Sequence, residues 1–199
     1  MNSEKSSFRM TMKIQGTIWL LMLAIGGSQT AHCQGPLPFG ATSGTPATAS
    51  TQQGSTVSYW TQIVSALTAA QKLSYNQQTD QWIFANSVYA VPLTESTRQY
   101  NCHGWSILGG AGWLDWSQGS TFISDGSFTL INSGTSNPTA QQQGQYTNKT
   151  VVIHYTSADH SAEYLSTVWV ESKWGQWPRV YHKVTESPYG SSWKAYEDP

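Results

Sequence analysis

Residues 101–106, NCHGWS, place a cysteine beside a histidine in a chain that holds only two cysteines. A thiol attacks acyl carbons as the thiolate, and its pKa falls at a helix N-terminus or beside an imidazole. A zinc site would need several Cys and His side chains at fixed spacing, which this pair lacks. Cys102 is therefore predicted to be a nucleophile. A metal-ligand role with His103 and a small buried apolar role are the alternatives.

A short helix is predicted to position this cysteine. Asn101 can cap a helix that runs to about residue 108, and Gly109 with Gly110 can end it. Cys102 then lies in the first turn. Neighbouring residues on a helix point about 100° apart, so His103 is a poor base for Cys102, and the base must come from another element.

His154, His160 and His182 remain as candidate bases, and His160 is the predicted one because it opens a predicted strand. Ala162, on the same face of that strand, is small enough to let the cysteine helix lie close. On the next strand, alternation puts Ser172 on the inward face and Glu171 on the outward face, and a one-residue bulge would reverse them. Either could orient the imidazole, and a carboxylate would do so more strongly than a hydroxyl.

The wider pattern predicts an α+β fold with N-terminal helices packed on an antiparallel β-meander. Apolar residues recur at helical spacing over residues 59–72, which predicts a helix. A hairpin around Asp125 and Gly126 is predicted within residues 120–131. Four β-rich runs with short connections predict the meander: residues 150–155, 160–165, 167–172 and 179–184.

The first 34 residues are predicted to be a secretory signal peptide. A positively charged start precedes the apolar run 18–27, which is too short to cross a bilayer as a permanent helix. Residues 35–56 are rich in Gly, Pro, Ser and Thr and are predicted to be a disordered tether; residues 57–199 would form one domain. We expect a secreted or periplasmic monomer that keeps Cys102 as a lone thiol, with lipid attachment at Cys33 as the minor alternative.

Composition excludes some partners and favours others. Charged residues make up 11% of the chain, the formal net charge is -1, and no cluster of Lys and Arg exists to neutralise a phosphate backbone. Nucleic acid is therefore excluded as a partner. The ten tryptophans suit contact with sugars, since aromatic rings stack on the apolar faces of sugars. No cofactor and no metal are expected.

The strings YNCHGWS, DHSAEYL and ESKWGQWP, followed by YH and SPYG, resemble the papain-like cysteine hydrolases of bacterial cell walls, the NlpC and CHAP group. The resemblance covers about residues 100–190 and implies a papain-like, NlpC-like fold. It implies an amidase or endopeptidase acting on peptidoglycan or a peptide, with an acyl-enzyme on Cys102 and His160 as base. The oxyanion would lie at the helix start beside Asn101, and Trp105 and Trp174 would wall the cleft.

A second interpretation is a catalytically inactive secreted module that binds cell-wall glycan or a protein partner. The third residue of the resembled families is usually His, Asn, Gln or an acid, whereas the candidates here are Glu171 and Ser172. An exported toxin would share the hydrolase chemistry and differ only in its target.

Overall fold

The computed structural model describes residues 43–64, 66–86 and 88–199, which form an α+β fold with more strand than helix. The elements in chain order are β1 (Ser43–Ser50), β2 (Thr56–Val64), α1 (Ala69–Ala85), β3 (Ala90–Pro92), α2 (Cys102–Ser106), α3 (Trp116–Gly119), α4 (Thr121–Ser124), β4 (Thr129–Gly134), α5 (Ala140–Tyr146), β5 (Thr150–Tyr155), β6 (His160–Ser166), β7 (Trp169–Lys173), β8 (Arg179–Lys183) and β9 (Trp193–Asp198). No helix within these residues is long and apolar enough to cross a membrane.

A seven-stranded antiparallel sheet organises the fold, in the order β3-β8-β7-β6-β5-β9-β4. The predicted meander is confirmed, because the four predicted runs are β5 to β8, with ends within two residues of those expected. The last strand, β9, pairs with β5 on one side and with β4 on the other.

Side chains alternate along each strand, so the sheet has two faces. The core face carries the larger apolar cluster, and α1 packs on it through Trp82 and Ile83, with the rings of Trp82 and Trp174 5.1 Å apart. On the second face, Val57 of β2 and Phe122 of α4 pack with Val152. Helix α2 also lies against this side of the sheet, on β6 and β7.

The N-terminal prediction is wrong in two places. Residues 56–64 form β2 and pair with β1, rather than starting a helix over residues 59–72. Their pattern also alternates, with Val57 and Ile63 buried and Ser58 and Gln62 exposed, and β-branched and aromatic residues favour strands. Residues 43–50 of the predicted tether are strand β1. The predicted signal peptide, Cys33 and the start of the tether lie outside the described residues.

The long helix α1 begins after Thr68 and shares only residues 69–72 with the predicted helix. The Thr68 hydroxyl accepts from the backbone N–H of Gln71, and the Gln71 side chain accepts from the N–H of Thr68 at 3.0 Å. This reciprocal capping box satisfies two N–H groups that a helix start otherwise leaves unpaired.

The hairpin predicted over residues 120–131 is also wrong. Residues 121–124 form α4, and β4 pairs with β9 instead of with the residues just before it. Asp125 accepts from the N–H of Ser127 at 2.9 Å, and Gly126 has a φ of 81°. The same two turn residues therefore close a short helix, because the strand partner comes from the far end of the chain.

Candidate functional site

Asn101 fixes the start of α2, as the sequence predicts. Its Oδ1 accepts from the N–H of Gly104 at 2.8 Å and from the N–H of Leu114 at 3.1 Å. Its Nδ2 donates to the carbonyl of Leu114 at 2.7 Å. The side chain is fully buried. It therefore caps the helix and also ties it to the segment that precedes α3.

Cys102 occupies the first turn of α2, fully buried and disulfide-bonded. The expectation of a lone thiol at this position is therefore wrong. A disulfide sulfur is not a nucleophile towards acyl carbons until it is reduced to the thiolate. The catalytic role of Cys102 stays a prediction that applies to the reduced protein.

His160 opens β6 as predicted, but its imidazole lies on the core face. The ring stacks on Tyr189 with centroids 3.6 Å apart and lies 5.3 Å from the ring of Tyr155. The next residue, Ser161, is the one that faces α2. Burial lowers the pKa of His160 well below its usual value. The start of β6 thus lies beside the cysteine helix, while the imidazole is directed to the other side of the sheet.

The two candidates for orienting His160 have other partners. Ser172 lies 2.7 Å from Nε2 of His182 and accepts from Nε1 of Trp174 at 2.9 Å. Because Nδ1 of His182 donates to the carbonyl of Lys183, Nε2 must accept, and Ser172 is the donor. Burial lowers the pKa of His182 to about 4.

Glu171 is ion-paired with Arg179 on the neighbouring strand. The strand register places Glu171 opposite Glu163 of β6 rather than near His160. Alternation along β7 predicts the burial of both residues correctly, since Ser172 is fully buried and Glu171 is partly exposed. Alternation does not identify the histidine with which the Ser172 hydroxyl forms its hydrogen bond.

The two tryptophans expected to line a cleft, Trp105 and Trp174, differ in their burial. Trp174 is fully buried, so its expected place on the wall of an open cleft is wrong. Trp105 is half-buried, and the guanidinium of Arg179 lies 4.0 Å from its ring centroid. Trp105 is therefore part of a surface that also includes a strand of the sheet.

His103, set aside as a base, makes a contact between α2 and β6 that the sequence did not predict. Its Nε2 lies 3.2 Å from the carbonyl oxygen of Asp159, which can only accept, so Nε2 carries the proton. Nδ1 then accepts from the Ser161 hydroxyl at 2.7 Å. The Ser161 hydroxyl also lies 2.6 Å from the Ser106 hydroxyl, which donates to the backbone carbonyl of Cys102 at 3.0 Å.

This buried chain of hydrogen bonds joins the helix to the sheet. Burial lowers the pKa of His103 to about 4, so the ring is neutral near pH 7. The signal that could have found the contact is the spacing of His103 and Ser106, three residues apart on one helix face. Within residues 43–64, 66–86 and 88–199, no group of three or more His, Cys, Asp or Glu side chains could hold a metal ion.

A different surface is open to solvent, on the second face of the sheet beyond α2. Strand pairing places side chains of β3, β8, β7 and β6 side by side there. We call this the open sheet face. Its exposed members are Tyr89, Val91, Leu93 and Leu165, and its partly exposed members are Glu163, Trp169, Glu171, Arg179 and Tyr181.

Aromatic rings contact one another on the open sheet face. Trp169 and Tyr181 stack with centroids 4.6 Å apart, and the ring of Tyr89 lies 5.5 Å from Trp169. At the other end, Arg179 lies over Trp105 of α2. Exposed large apolar side chains also occur elsewhere, at Leu73, Phe84 and Leu130, but four of the seven in the described chain lie on this face.

Comparison with known proteins gives one family. The family described as "Domain of unknown function (DUF7689)" matches residues 92–197, which is 106 of the 199 residues. No curated protein and no solved structure matches the chain. The matched segment includes α2, the meander and most of the open sheet face.

Proposed function

Because this chain belongs to the DUF7689 family, whose description assigns no activity, we propose its function from the geometry of its surface. It is an exported binding module for cell-wall glycan, whose leader is cleaved ahead of Cys33 so that both cysteines of the chain are kept. It has no catalytic activity while Cys102 is disulfide-bonded. The observation that carries this proposal is the open sheet face, where aromatic, aliphatic and charged side chains remain accessible on a face that the helices leave partly uncovered.

The composition of this face suits a sugar polymer. The rings of Tyr89, Trp169 and Tyr181 offer apolar surface to the C–H faces of sugars. Carboxylates and a guanidinium lie among them, and these groups accept from or donate to sugar hydroxyls. Contiguous exposed apolar patches on soluble proteins usually mark binding sites.

Pairing of a partner strand with β3, the sheet edge beside the open sheet face, is a less suitable mode of binding. The edge strand β3 has only three residues, and Pro92 has no N–H to donate. Side chains rather than backbone groups must therefore supply most of the contact.

We expect the oxidised protein to co-sediment with purified peptidoglycan, and the double variant Trp169→Ala/Tyr181→Ala to bind at least about 10-fold more weakly. Aromatic side chains that become buried on binding contribute much of the binding free energy at such surfaces. The matched control is Phe84→Ala, which removes an exposed ring on α1, and it should bind like the parent protein. Failure of the parent protein to sediment, or equal loss in both variants, would contradict the proposal.

The hydrolase predicted from the sequence is a second candidate, favoured by the placement of Cys102 in the first turn of a helix that packs on β6. After reduction, His160 would take the proton of the thiol, and the thiolate would bond to the carbonyl carbon. The C–N bond would then break as the amine takes that proton from His160, and water would hydrolyse the thioester. His160 would have to turn from the core face to take part.

Reduction of the disulfide with dithiothreitol distinguishes the binding module from the hydrolase. We expect no cleavage of peptidoglycan fragments by the oxidised or the reduced protein when the products are followed by mass spectrometry. Cleavage that appears on reduction and disappears in Cys102→Ala would establish the hydrolase instead. The His160→Ala variant then reports whether that imidazole participates.

A further inference from the structure

The charges on the open sheet face do not balance. Glu163 and Glu171 are directly opposite each other on β6 and β7. Like charges at directly opposed positions of an antiparallel pair destabilise the sheet unless a cation lies between them. Arg179 provides one positive charge and is ion-paired with Glu171. Within the described part of the chain, no side chain donates a hydrogen bond or forms an ion pair with Glu163.

The other cationic side chains near this face already have other partners. Lys183 lies 2.9 Å from the carboxylate of Glu186. The Lys173 amine is fully buried, donates to the carbonyls of Gly175 and Trp177, and has a pKa well below its usual value because of burial. The carboxylate of Glu163 therefore leaves the open sheet face with a negative charge that a ligand can neutralise.

The aromatic rings beside the two carboxylates also favour a cation. The ammonium of Lys183 already lies 5.8 Å from the ring centroid of Trp169. Ring faces attract ammonium groups through their quadrupole, and carboxylates give shorter and stronger hydrogen bonds to charged donors than to neutral ones. An ammonium group on a sugar would meet both kinds of partner on this surface.

We propose that the glycan bound by the open sheet face carries unacetylated amines, and that Glu163 selects for them. This inference rests on the proposed glycan-binding function and specifies its ligand. Charge complementarity is the reason for choosing an amino sugar over a neutral one.

The test compares two hexasaccharides that differ only in acetylation, the glucosamine hexamer and the N-acetylglucosamine hexamer, by calorimetry on the full protein near pH 6. We expect the glucosamine hexamer to bind about 10-fold more tightly, as a charge-assisted hydrogen bond would give. In Glu163→Gln this preference should fall to about twofold or less. Glu95→Gln removes an exposed carboxylate near α1 and should keep the full preference.

The outcomes separate the two proposals. Equal affinity for both hexamers, or tighter binding of the acetylated one, would overturn selection for amines and leave glycan binding intact. Binding of neither hexamer, together with no binding to peptidoglycan, would overturn the proposed function itself. A preference that Glu163→Gln and Glu95→Gln reduce equally would reflect general charge attraction and would remove Glu163 as its source.

Discussion

Gly104→Ala is expected to leave the protein largely unfolded. A Cβ atom built on Gly104 would lie 1.7 Å from the carbonyl oxygen of Gly112 and 3.1 Å from Oδ1 of Asn101. Because the nearest atom belongs to the backbone, no rotamer change can relieve the clash. Helix α2 would have to move away from the segment that Asn101 ties to it, and the buried amide would lose its partners.

The expected loss is more than about 4 kcal/mol, a large share of the stability of an ordinary domain. Urea unfolding followed by tryptophan fluorescence measures it. Gly144→Ala is the matched control, since Gly144 lies in α5 and a Cβ there meets no atom within 4 Å. That control should be neutral or slightly stabilising, because alanine has the higher helix propensity. A Gly104→Ala protein as stable as the parent would show that α2 does not pack as described.

Stability is expected to fall steeply between pH 7 and pH 5. Burial lowers the pKa values of His103 and His182 to about 4, against about 6.5 in the unfolded chain. In the interval between those values, the unfolded state binds more protons than the folded state, so acid favours unfolding. Each histidine contributes about 2 kcal/mol over this interval. The lowered pKa of His160 adds to the same trend.

His182→Gln tests the assignment, because an amide can still pair with Ser172 while it does not titrate. Chemical unfolding at pH 7, 6 and 5 should show a decline that is smaller by about 2 kcal/mol in this variant than in the parent. The raised pKa values of Glu171 and Asp198 act in the opposite direction at lower pH, which is why the comparison stops at pH 5. Equal declines in both proteins would mean that His182 is not buried as a neutral ring.

The sequence correctly predicts the elements that depend on residues close together in the chain. The Asn101 cap and the strands β5 to β8 depend on short patterns and short connections, and both were predicted. The predicted helix over residues 59–72 is wrong because the apolar residues of that segment match both the helical period of 3.6 and the strand period of 2. Pairing with β1 selects the strand. The capping box at Thr68 and Gln71 was a readable signal for the true helix start.

The candidate site depended on contacts that spacing does not determine. Alternation predicted that Ser172 is buried, yet its partner is His182 from β8 rather than His160. The disulfide at Cys102 contradicts the expected lone thiol, because that expectation depends on the position at which the leader is cleaved. The open sheet face could not be predicted, since it exists only where the helices that cover the rest of the sheet end.

The position of β9 governs when the fold can be completed. Residues 193–198 lie between β5 and β4, so β4 has no strand partner and β5 has only β6 until this stretch is available. A chain that is still being synthesised would leave β4 unpaired and one edge of β5 exposed, a form open to aggregation and proteases. The sheet is therefore completed only after residues 193–198 have been added, long after the strands of the meander are available to pair.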